Sequence, residues 1–128
     1  SGAAVVALRR FNSQNLANLA WSWAILAVSD EQLAWALAEE AVPKLGLAAP
    51  QGISNLVWAL ARLTVNHPRL LHVTAEQSVA KLGEFGAQEL SNLAWAFATL
   101  GAYDPTLFRS LAGAARVRLP AFLPQHLA

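Results

Sequence analysis

Two amides and an indole recur in this chain at one fixed spacing. Gln14, Asn18 and Trp21 are followed by Gln51, Asn55 and Trp58, and then by Gln88, Asn92 and Trp95. Residues three and four apart share a helical face, so each triplet predicts a short stripe on an α-helix. The chemistry suits nucleobases. A carboxamide offers paired donors and an acceptor, and an aromatic face stacks on a base for ~1–3 kcal/mol. An identical column cannot distinguish one base from another, so any choice falls to the variable columns beside it. Those are Ser22/Ala59/Ala96, Ile25/Arg62/Thr99 and Ser29/Asn66/Tyr103. The candidate base contacts are therefore Asn18, Asn55 and Asn92 as a shared set, with Ser22, Ile25, Arg62, Thr99, Asn66 and Tyr103 around it. A structural reading competes: an amide ladder between neighbouring helices, with the tryptophans filling the seam between repeats.

A second constellation is Lys44, Lys81 and Arg118, one cation in the same column of each copy. Such a ladder could track successive phosphates, each contact adding a salt-dependent increment. Cations near helix C-termini are also favoured by the macrodipole, with no partner required. Arg9, Arg10, Arg69, Arg109 and Arg116 would thicken a basic edge if they cluster.

The elements that must position these groups follow from the period. Copies of 37 residues span 14–50, 51–87 and 88–124, with nine identical columns headed by Gln14, Asn18, Leu19, Trp21, Ala24, Leu26, Leu33, Ala38 and Leu45. Residues 1–13 align with the second half of a preceding copy and 125–128 with the start of another, so the whole of 1–128 reads as one repeat array, a window of a longer protein. Within a copy, the apolar positions 16, 19, 20, 23, 24, 26 and 27 predict a first helix over about 14–27. Leu33, Leu37, Ala38, Ala41 and Leu45 predict a second over about 31–45. Asp30, His67 and Asp104 stand at the junction, with Pro68 and Pro105 suited to a first turn. Gly46, Gly83 and Pro120 mark the end of the second helix, and Pro43 shortens or kinks it in the first copy. The expected fold is all-α, an α-solenoid of helix-turn-helix hairpins.

Composition narrows the function classes. The chain has 128 residues, 55% hydrophobic and 13% charged, with net charge +1 and no cysteine. Thiolate metal sites and a disulfide framework are excluded. Bulk charge announces no polybasic nucleic-acid binder, and no apolar run approaches the ~20 residues of a membrane span. Nothing catalytic converges: His67, His72 and His126 lack acidic partners at metal-ligand spacing, and there is no phosphate loop or nucleophile motif. The expectation is a binding protein, not an enzyme, without metal or cofactor.

The run from Gln88 to Leu100, Gln-x-Leu-Ser-Asn-Leu-Ala-Trp-Ala-x-Ala-x-Leu, resembles the octotricopeptide and heptatricopeptide repeats, and through them the repeats of FAST-kinase-like mitochondrial proteins. The resemblance covers the whole chain, with Val57 departing from the motif, a 37-residue period closer to the heptatricopeptide form, and the proline-rich opening reduced to Pro50 and Pro124. It implies single-stranded RNA or rRNA binding in a mitochondrion or chloroplast, inside a ribonucleoprotein such as an organellar ribosome or an RNA-maturation complex. The C-terminal RAP domain of many members is absent from the sequence. The rival function is a protein–protein scaffold of the same architecture, favoured by the low charge and by Trp35 and Val73 lying off the inner face.

Overall fold

The computed structural model describes the backbone of residues 7–27 and 30–127 and the side chains of 7–27 and 30–116. It contains six named helices: α1 (Ser13–Leu26), α2 (Glu31–Ala41), α3 (Pro50–Arg62), α4 (Pro68–Ala80), α5 (Ala87–Thr99) and α6 (Pro105–Leu127). Short 3₁₀ segments, Val42–Leu47 and Leu82–Glu84, follow α2 and α4. Among the described residues there is no strand, and the protein is all-α. The most extensive contacts are those of α1 with α3 and of α3 with α5. Small buried residues at these faces, Ala17, Ala20, Ala24, Ala59 and Ala96, allow that close approach. On the other side, α4 touches α2, the 3₁₀ turn after it, and α6.

The even-numbered helices start on one column. Asp30 Oδ1 accepts from Leu33 N–H at 3.0 Å, and Asp104 Oδ1 accepts from Leu107 N–H at 2.9 Å. His67 does the same work with a ring nitrogen, Nδ1 accepting from Leu70 N–H at 3.0 Å. That bond places the ring proton on Nε2, which lies 2.8 Å from Glu39 Oε1 and donates to it. His67 is 1% exposed and lies against Trp35, with ring centres 4.3 Å apart. Sequence spacing alone offers this histidine no acidic partner. The partner comes from the preceding hairpin, across a helix contact that sequence spacing does not reveal.

The odd-numbered helices end on another shared column. Ala27, Thr64 and Gly101 have φ of 54°, 58° and 66°. Only the third is the residue that this left-handed geometry favours. The expected stops Gly46 and Gly83 instead lie within the 3₁₀ turns, with no positive φ. As expected, α2 stops short of the 45 predicted for it, ending at Ala41 with Pro43 opening the turn. The expected break at Pro120 is not present: α6 continues to Leu127. The turns at 9–11 and 46–48, by contrast, are each held by a lysine from the following hairpin.

That lysine contact fixes the spacing between hairpins. Lys44 Nζ donates to Phe11 O at 2.6 Å and Arg9 O at 3.3 Å. One copy later, Lys81 Nζ donates to Ala48 O at 2.7 Å and Gly46 O at 3.0 Å. The same cation thus closes the same pair of turn carbonyls twice, satisfying groups that no helix or sheet pairs.

The apolar face of α1 is rotated from the one predicted. Leu16, Ala17, Ala20 and Ala24 are buried, whereas Leu26 is 73% exposed and Ala27 exposed. Neighbouring odd helices pack side by side, so the buried strip turns toward Ala17 and away from the C-terminal end. On α2, Ala34 joins Leu37, Ala38 and Ala41 in the core, and Leu33 is only half-buried. Thr74 Oγ1 and Ser78 Oγ are buried without a partner, in columns where the other copies carry Leu37 and Leu111 or Ala41 and Ala115.

Two stability outcomes are expected. Thr64→Gly relieves a left-handed backbone that costs an L-residue ~1–2 kcal/mol, less the entropy glycine loses. A rise of a few degrees in Tm should follow, and Gly101→Ala should lower it. Lys81→Met removes the cation from two turn carbonyls and should cost about 1–3 kcal/mol in denaturant unfolding.

Candidate nucleic-acid interface

Side-by-side packing of α1, α3 and α5 brings their matching columns into register. The tryptophans meet as a row. Trp21 and Trp58 stack with ring centres 4.5 Å apart and planes 29° apart, and Trp58 and Trp95 follow at 6.1 Å and 37°. Trp21 and Trp95 remain 38% and 42% exposed, with Trp58 half-buried between them. The row therefore fills the seam between helices and also presents aromatic surface to solvent. Arg62 lies over the Trp58 ring, its Cζ 5.5 Å from the centre, a cation–π contact. Ile25 and Thr99, in the same column as Arg62, are exposed.

The amides share this side. Gln14, Asn18, Gln51 and Gln88 are exposed, and Asn55 and Asn92 half-buried. The alternative of an amide ladder between helices is not what the structure holds. Gln88 Nε2 donates to Asn92 Oδ1 at 2.9 Å within α5. Among the described residues, no protein hydrogen bond reaches the side chains of Gln14, Asn18, Gln51 or Asn55. These four border a groove of about 500 Å³ between the N-terminal halves of α1 and α3, with Ala17 and Gly52 in its wall. Gly52 was not among the candidates read from the sequence. The available signal was its departure from an otherwise polar column, Asn15/Gly52/Glu89.

The other candidates separate. Ser22 Oγ donates to Asn18 O at 2.9 Å, a bond within its own helix. Asn66 Nδ2 donates to Leu100 O at 3.2 Å and so ties the end of α3 to the end of α5. Tyr103 is exposed and stacks on Phe108 at 5.7 Å. Asn66 and Tyr103 line a hollow of about 290 Å³ with His72 and Phe97, beyond the C-terminal ends of α3 and α5 and apart from the amide groove. Ser29 lies outside the described residues, as does the side chain of Arg118.

The cation ladder changes role. Lys44 and Lys81 each spend two of three donors on turn carbonyls, and Lys44 Nζ also lies 3.7 Å from Glu40. The ammonium groups of Lys44 and Lys81 are thus committed largely to the frame and not to successive phosphates. Arg9 faces Glu40 at 3.9 Å, and Arg69 faces Glu39 at 3.3 Å. The cations beside the stripe are Arg62 and Arg10, the latter bordering a hollow with Asn18 and Ser22. Among the described residues no cluster of His, Asp and Glu is placed to hold a metal, and no helix is long and apolar enough to cross a membrane.

No curated protein matches this chain. The family model described as RNA-editing substrate-binding complex 6 protein (RESC6) matches residues 1–127. That finding overturns the octotricopeptide and heptatricopeptide resemblance, and the FAST-kinase-like link with it. The physical reason lies in the motif. Its leucines and alanines are the residues by which neighbouring helices approach, as buried Ala20, Ala24 and Leu93 show, and close-packed hairpin arrays of unrelated families need the same types. The chain belongs to the RESC6 family.

Proposed function

We propose that this chain is a segment of an α-solenoid with a 37-residue repeat, and that the shared face of α1, α3 and α5 binds single-stranded RNA within an RNA-editing substrate-binding complex. The observation that carries this reading is the half-exposed row Trp21–Trp58–Trp95 running beside Gln14, Asn18, Gln51 and Asn55, whose carboxamides have no protein partner among the described residues. Bases would stack on the ribbon while the carboxamides meet their edges. Binding, not catalysis, is the role. The family description supports an RNA-editing setting, and the mitochondrial option read from the sequence goes with it. Neither the chloroplast nor the ribosome has support.

A protein scaffold is the second reading, favoured by an exposed aromatic side chain away from the ribbon. Trp35 stands out on α2, 44% exposed. The two readings differ in what the ribbon contacts.

The test is fluorescence anisotropy of the folded chain with a mixed-sequence single-stranded RNA across a salt series. With Arg10 and Arg62 as the cations beside the stripe, the salt slope should be shallow, roughly −1.4 for two phosphates on a single strand. Trp95→Ala should weaken binding about 5- to 100-fold through the lost stack, while Trp35→Ala should leave it unchanged. No binding by a helical wild-type sample would move the assignment to the scaffold.

A further inference from the structure

We propose that the groove between α1 and α3 is a pocket for one unpaired nucleobase, read at its hydrogen-bonding edge by Gln14, Asn18, Gln51 and Asn55 and kept open by Gly52. This rests on the RNA reading above and adds a site to it. The groove has a volume of about 500 Å³, within the ~300–1,000 Å³ typical of small-ligand clefts. None of its lining residues is ionisable. The group it suits is therefore neutral and carries donors and acceptors together, which describes a base edge and not a phosphate or a carboxylate. Each carboxamide can meet such an edge with a donor and an acceptor. None of the four has a protein partner among the described residues.

Gly52 supplies the second argument. A Cβ added there meets nothing within 4 Å, and its φ is not positive. The fold does not need glycine at this position, and glycine in a helix is less favourable than alanine. What the missing side chain provides is room. The corresponding wall between α3 and α5 is built differently. Glu89 fills Gly52's column and accepts from Gly86 N–H at 2.9 Å, and Gln88 is bonded to Asn92. The open groove, with its four amides free of protein partners among the described residues, is thus a property of the α1–α3 pair. Because Gln14, Asn18 and Trp21 share one face, a base in the groove would sit next in line to one stacked on the ribbon.

The test uses the whole chain and a fluorescein-labelled mixed-sequence single-stranded RNA. Gly52→Leu fills the groove without straining the backbone. The expected result is a Tm at or above wild type with RNA binding weakened roughly 5- to 100-fold, and Gly52→Ala should weaken it less. The double variant Asn18→Leu/Asn55→Leu should show a loss of similar size if Gly52→Leu does not fold. Unchanged binding by folded Gly52→Leu or by the double variant, alongside weakened binding by Trp95→Ala, would overturn the pocket and leave the RNA face standing. No RNA binding by wild type would overturn both and pass the groove to the scaffold reading.

Discussion

Direct contact between successive odd-numbered helices organises this molecule. Because α1 packs on α3 and α3 on α5, a residue type repeated once per copy becomes a line across the surface. Trp21, Trp58 and Trp95 are distant in sequence, yet they form one ribbon. Small buried side chains, notably Ala20, Ala24, Ala59 and Ala96, suit that close approach.

A second set of interactions keeps that packing in step. The side chains of Lys44 and Lys81 each reach back one hairpin and close two turn carbonyls. Glu39 reaches forward to the capping histidine of α4. These bonds run between neighbouring helix pairs. They also explain why a nearly neutral chain need not expose its cations in a row. The charge that sequence alone offered to phosphates is largely used in holding the frame, so recognition would fall to neutral amides and aromatic rings.

Helix positions were legible in the sequence because apolar periodicity and capping residues are local. Asp30, Asp104, Pro68 and Pro105 announced their helix starts, and Pro43 its early stop. The rotation of the buried face of α1 was not legible, since it depends on which neighbour the helix meets. Left-handed ends at Ala27 and Thr64 were equally hidden, because neither residue type signals that geometry. The tryptophan and amide columns were visible as candidates, but their division between seam and surface needed distances. Gly52 was missed because a glycine matters there for the space it leaves, and that space exists only between two helices.

The central claim is that RNA lies along the shared face of α1, α3 and α5. The most direct measurement is ultraviolet crosslinking of 4-thiouridine-substituted single-stranded RNA to the chain, with the attached residues located by mass spectrometry. The account predicts crosslinks concentrated on α1, α3 and α5 around Trp21, Trp58, Trp95 and the neighbouring amides. Crosslinks confined to α2 and α4, with that face unmarked, would contradict it.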